Sequence, residues 1–173
     1  MRQLALDIST TAIGWATAEE NAWPGSAKEY TTLDPATFEF GTETADWDNS
    51  HSEGEKLFWV FAAVSGLIVG YDPQECVIEE SNSSKNMITT RLLMGARGVA
   101  LFACYRNKVK ASMMTCGAAR KACGIDMSGM KQWTKYKRRK ETKRRVIEWA
   151  NKQGFETDSD DTADALVLLM AGE

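Results

Sequence analysis

Two aspartates stand one helical turn apart in the stretch DDTADALVLLM (160–170). Asp161 and Asp164 share a face at the start of a helix that the apolar run Leu166 to Met170 marks as packed into a core. N-terminal capping accounts for one carboxylate, at Asp160 or Asp161, but Asp164 already lies inside the helix. Two further acids close apolar strands: Asp7 after QLAL and Glu79 in ECVIEE. Taken singly, Asp7 also reads as a turn-capping residue before STT, and Glu79 as a surface acid beside Glu80. Taken together, four like charges converge only where cations neutralise them. Hard oxygen donors without histidine select Mg²⁺ or Mn²⁺ over zinc. Two such ions about 4 Å apart can activate a water and stabilise the leaving oxygen of a phosphodiester.

The charge distribution supplies a matching substrate. Residues 1–80 hold 3 basic and 15 acidic side chains, and residues 81–173 hold 18 basic and 9 acidic, although the net charge is only −3. Within the basic half, KQWTKYKRRKETKRR (131–145) carries nine Lys/Arg against one Glu. A solvated helix face usually intersperses acids; this run reads as a polyanion-binding surface. Lys131, Lys135, Lys137, Arg138, Arg139, Lys140 and Arg144 are the expected DNA contacts.

These groups need a scaffold. Leu4 to Asp7 and Ile13 to Ala18 read as two strands joined by a tight turn, residues 20–37 as a loop, and TFEFGT (37–42) as an edge-like third strand. After a polar linker (43–54), LFWVFAAVSGLIVG (57–70) reads as a buried helix too short for a bilayer. ECVIEE (75–80) and KVKASMMT (108–115) read as strands. NMITTRLLMGARGVALFACYR (86–106) is apolar almost all round, so it should touch both its own core and a partner subunit. Gly95 and Gly98 within it cost helix propensity, and with the small Ala96 they are expected where another backbone comes close. GAARKACG forms a short helix, and a further helix through KETKRRVIEWANKQG ends at Gly154. This order predicts an α/β fold, a mixed five-stranded sheet with helices on both faces and its site at the carboxyl ends of strands.

A length of 173 residues fits one domain, and the opening MRQLALDIST turns polar too soon for a secretion signal. Cys76, Cys104, Cys116 and Cys123 contain no C-x-x-C pair and the chain has one histidine. The cysteines are therefore expected to be reduced and buried in a cytoplasmic protein, with no zinc site and no membrane.

Three stretches, LALDISTTAIGWA, CVIEESNSSKNMITTRLLMGARGVALFA and DTADALVLLM, resemble the RuvC-type Holliday junction resolvases of the ribonuclease H-like superfamily in order and spacing, from about residue 3 to 171. The resemblance implies a ribonuclease H-like nuclease domain over 1–173 that resolves four-way DNA junctions by paired nicking. It implies that Asp7, Glu79, Asp161 and Asp164 ligate two Mg²⁺ ions per subunit, with Mn²⁺ able to substitute and Asp7 between them. A family pattern of Lys, two residues, then Val matches KRRV, which makes Lys143 the candidate for stabilising charge at the scissile phosphate and Lys140 the runner-up. The resemblance also implies a twofold homodimer, for which Leu93, Ala96 and Val99 are the expected interface.

The chain departs from the family in three places. Asp7-Ile8-Ser9 replaces the usual Asp-Pro-Gly, and EESNSSKN lacks the aromatic that wedges into the junction, leaving Met87 or Trp133 for that task. The acidic stretch 19–55 has no assigned role. The atypical first motif is compatible with a phage or viral member acting in a host cytoplasm. Three other readings compete: a broader fork and flap nuclease on the same fold, an actin-like ATP-binding domain, and a DNA-binding protein without catalysis. The ATP-binding reading lacks a second phosphate loop in this chain. The non-catalytic reading gives no reason to cluster negative charge beside DNA.

Overall fold

The computed structural model describes residues 1–19, 34–47, 50–80 and 86–172. Most of the expected loop 20–37, and SNSSK in EESNSSKN, lie outside the described residues. Strands β1 (Arg2–Ile8) and β2 (Ala12–Glu19) form an antiparallel hairpin, and β3 (Phe38–Thr44) pairs antiparallel with β2 at one edge. Strands β4 (Glu75–Glu79) and β5 (Lys110–Met114) extend the sheet in parallel on the other side, in the order β3-β2-β1-β4-β5. The expected mixed five-stranded sheet is present, with β3 at an edge.

The parallel half requires crossover connections, which α1 (Glu53–Tyr71) and α2 (Met87–Arg106) provide. Ser52 and Glu55 form a capping box at the start of α1. Both helices lie on one face of the sheet, where Val60, Val64, Ala100 and Cys104 meet Leu4, Leu6, Ile8 and Ile78. The other face carries α3 (Cys116–Ala122), α4 (Lys135–Lys152) and α5 (Asp160–Ala171), whose Ala119, Val146 and Leu166 pack with Ala5, Ala16 and Val77. Strand periodicity produces this division, because successive side chains of β1 point to opposite faces. Gly154 follows α4 at φ +91°, so the expected stop is a left-handed position.

The apolar segment 57–70 is not buried as a whole: Phe58 and Val69 are 70% and 75% exposed. By length and composition alone α1 and α2 would each suit a bilayer, yet each buries one stripe against the sheet. Gly95 gives room to the Leu57 side chain of α1, whose nearest atom would lie 3.2 Å from an added Cβ, while Gly98 faces open space.

Helix α5 sits unusually low on the hairpin. A Cβ at Gly14 would lie 2.0 Å from the Asp161 carbonyl oxygen, so only glycine admits the first turn of α5. Thr42 on β3 fixes the same turn through its hydroxyl, 3.0 Å from Ser159 Oγ and 2.7 Å from Thr162 Oγ1. Gly14→Ala is therefore expected to cost about 1–3 kcal/mol or more in urea unfolding, since backbone must move. Gly66→Ala, at an open position of α1, is expected to be neutral or stabilising by up to about 1 kcal/mol. Equal effects of the two substitutions would refute the close approach of α5.

Candidate active site

Register and pleat bring the four carboxylates to one end of one face. Leu6 pairs with Ile78 across parallel β1 and β4, so Asp7 and Glu79 each follow one residue beyond that pair. Asp7 alternates with Ala5, and Glu79 with Val77, both of which pack toward α5. Asp7 is also registered opposite Gly14, the residue on which the first turn of α5 rests. The glycine that admits α5 thus sets Asp161 and Asp164 over Asp7.

Other residues perform the tasks that could have occupied these acids. The turn after β1 is held by Ser9, whose Oγ accepts from the Ala12 amide at 2.8 Å and the Thr11 amide at 3.2 Å; Asp7 does not cap it. That serine also explains how Asp-Ile-Ser can replace Asp-Pro-Gly. Helix α5 is capped by Ser159, which accepts from the Thr162 amide at 3.2 Å, and not by Asp160 or Asp161. Glu79 is no solvated surface acid, because its side chain is 20% exposed and salt-bridged to Arg97 at 3.1 Å.

The carboxylates perturb one another. Burial pushes the Asp7 carboxyl well above its ordinary value, and Glu79, through charge and a hydrogen bond, then Asp164 and Asp161 push it further. Asp161 is raised by burial and by Asp160, against the pull of Lys143 and Arg139 on α4. Asp164 is raised by burial although Arg120 opposes the shift. Burial, then Asp164, Glu79 and Asp7, also raise the Cys116 thiol, which stays protonated beside them. A crowd of hard oxygen donors that resists ionisation fits divalent cations and offers no soft ligand.

Two guanidiniums absent from the sequence-derived site, one buried and one half-buried, accompany these acids. Arg97, 5% exposed on α2, donates to the Glu79 backbone oxygen at 2.7 Å and to its Oε2 at 3.1 Å. Arg120 on α3 donates through Nη2 to both Asp164 oxygens, at 2.7 and 2.8 Å, and through Nε to Oδ1 at 3.2 Å. Arginines within LLMGARGVA and GAARKACG carried the signal, since a charge in an otherwise small and apolar run must find a partner when buried. Among the described residues, no three acids, thiols or imidazoles form a closed ligand cluster.

Lys143 pairs with Asp160, directly before Asp161, so the KRRV lysine stands at the edge of the carboxylate group. Lys131, Lys135, Lys137, Arg138, Arg139 and Lys140 are all exposed, and the Lys137 ammonium lies 4.6 Å from the Trp133 ring centroid. Arg144 differs: it is bound to Glu141 at 2.6 Å and to Glu148 on its own helix, which removes it from the set of uncommitted cations. The expected interface also needs correction. Ala96 is fully buried against the subunit's own core, because α2 turns its small residues toward the sheet. Leu93 and Val99 are half-buried, and the outward apolar face consists of Met94, Phe102 and Tyr105, 67%, 53% and 79% exposed.

The family model described as crossover junction endodeoxyribonuclease RuvC matches residues 43–170. The crossover junction endodeoxyribonuclease RuvC of Rubrobacter xylanophilus is 32% identical over 107 residues, covering 62% of this chain and 53% of that protein. The chain thus matches about half the length of that relative. Among solved structures, Thermus thermophilus RuvC in complex with a Holliday junction substrate is similar at a TM-score of 0.66 and 14% identity, over 99% of this chain and 92% of that one. The yeast mitochondrial Holliday junction resolvase is similar at 0.57 and 10% identity, over 98% and 77%. These likenesses show the ribonuclease H-like fold expected from sequence.

The repulsion has a measurable consequence. A raised native carboxyl binds protons that the unfolded chain releases, so the metal-free protein loses stability as pH rises above the ordinary Asp value of 3.8. Asp7→Asn is expected to raise the metal-free Tm, by about 2–4 °C for each kcal/mol of repulsion relieved, and to flatten that pH dependence. A lower Tm would mean that Asp7 is structural.

Proposed function

The chain belongs to the RuvC family of crossover junction endodeoxyribonucleases, and from that premise we propose that it resolves four-way DNA junctions by metal-dependent hydrolysis of phosphodiesters. The convergence of Asp7, Glu79, Asp161 and Asp164 at one end of the sheet carries this reading. Residues 1–173 would act as one nuclease domain in the cytoplasm, where its four buried cysteines stay reduced.

In this reading the four carboxylates would hold two Mg²⁺ ions per subunit, with Mn²⁺ able to substitute and Asp7 as a shared ligand. Bound there, the ions would activate the attacking water and stabilise the leaving oxygen. Arg97 would keep Glu79 fixed by gripping its backbone oxygen and one carboxylate oxygen. Arg139 and Lys143 would draw the scissile phosphate toward the acids, and the bulk of the basic run would follow the DNA backbone.

The start of α4 supports the DNA-binding role. Its first turn contains no acid and carries Lys135 and Lys137 at the positive end of the helix dipole. That placement costs stability in the free protein and is relieved when a polyanion arrives. A homodimer would cover the outer face of α2, with Met94 and Phe102 in place of Ala96. Such a dimer would present one site to each of two strands.

Cleavage of a mobile four-way junction beside a fork and a flap, with Mg²⁺, Mn²⁺ or EDTA, tests the activity. Paired nicks at the junction alone, lost with EDTA or in Asp7→Asn, are expected; equal cutting of all three substrates would favour the broader branch nuclease. Arg139→Gln combined with Lys143→Gln should lower the slope of log affinity against log salt by about one unit per lost phosphate contact. An unchanged slope would move the DNA elsewhere. Met94→Asp should yield monomers in sedimentation, and a persistent dimer would refute the α2 interface.

A further inference from the structure

We infer that Arg120 is a built-in counter-cation, which grips Asp164 and competes with divalent ions for it. The inference rests on the reading of the four carboxylates as a metal site and adds a residue that controls its filling. Its basis is the difference between the two arginines. Arg97 spends one nitrogen on the Glu79 backbone oxygen, one on the Leu93 backbone oxygen at 3.1 Å and only one on a Glu79 carboxylate oxygen. Its grip leaves Oε1 of Glu79 uncommitted to the guanidinium, so Arg97 orients a ligand without using it up. Arg120 places Nη2 across both oxygens of Asp164 and adds Nε to Oδ1, and among the described residues no backbone acceptor shares its guanidinium.

Burial makes that contact consequential. The Asp164 and Arg120 side chains are 12% and 20% exposed, so neither charge is well solvated without the other. Arg120 supplies the positive charge that lets Asp164 sit beside Asp7 and Glu79 before any ion binds. An arriving cation must take a lone pair from a bidentate, charge-assisted contact and tolerate a fixed positive charge at close range. Both effects oppose metal binding. A purely orienting arginine would have the opposite effect. Because the guanidinium keeps its charge at all accessible pH values, its displacement depends on the cation and not on protonation of the arginine.

The test is Mn²⁺ binding to full-length protein without DNA, measured by electron paramagnetic resonance or calorimetry, with thermal unfolding recorded in the same samples. Wild type and Asp7→Asn come first: binding by wild type that Asp7→Asn abolishes establishes the metal site itself. Arg120→Gln is then expected to bind Mn²⁺ about tenfold more tightly than wild type, the magnitude of one lost charge-assisted contact. Arg120→Lys, with its charge kept and its fork lost, is expected between the two. The metal-free Tm of Arg120→Gln should fall, and Mn²⁺ should raise it by more than it raises that of wild type. Arg97→Gln serves as the opposite case and should bind Mn²⁺ more weakly. Equal or weaker Mn²⁺ binding by both Arg120 variants, in samples whose circular dichroism shows them folded, overturns the inference and leaves the metal site standing. Absence of Mn²⁺ binding by wild type overturns both. Should Arg120→Gln not fold, the order of Arg120→Lys against wild type decides alone.

Discussion

The close contact between the first turn of α5 and the β1–β2 hairpin is the constraint on which the site depends. It exists because Gly14 has no side chain, because Ala5 and Ala16 pair beneath the helix, and because Thr42 bonds Ser159 and Thr162. Small residues lower the helix onto the sheet, and hydroxyls satisfy the polar groups that this brings inside. The same contact forces Asp161 and Asp164 toward Asp7, so tight packing and charge repulsion arise from one feature.

The fold meets that repulsion with fixed cations from three different helices. Arg97 from α2 holds Glu79, Arg120 from α3 holds Asp164, and Lys143 from α4 holds Asp160. Each pairing offsets part of the mutual repulsion, and Asp7, with a carboxylate for its hydrogen-bond partner, keeps the largest upward pressure. The site is therefore strained electrostatically and not in its backbone. Structural duties around it, turn closure and helix capping, fall to Ser9 and Ser159, which leaves the acids free of those duties.

The basic run divides in a similar way. Toward its end, Arg144 and Arg145 are bound to Glu141, whose carboxyl they hold down at about 2; these arginines brace α4. Earlier cations, up to Lys140, form no salt bridge among the described residues and remain exposed. A single stretch of nine cations thus divides between arginines that brace the helix and cations left open to solvent. The outward face of α2 shows the same economy: small residues face the sheet, and Met94, Phe102 and Tyr105 face away.

The sequence by itself determined the element order, the edge position of β3, the stop at Gly154 and the four acids, because period, glycine and strand-end position are local signals. It also determined the family, since three separated motifs agreed in order. Only the tertiary structure decided what each charge faces. Asp7 as a turn cap and Asp161 as a helix cap were legible alternatives until Ser9 and Ser159 were seen in those roles. Arg97 and Arg120 looked like ordinary charges in helical runs, and their partners lie 18 and 44 residues away. Ala96 was placed on the outside because the α2 sequence is apolar on every side, and periodicity cannot orient such a helix. Its orientation is set by which side chains are small enough to approach the sheet. A one-dimensional pattern records where charges and apolar groups occur; the distances between elements, which fix their partners, arise only on packing.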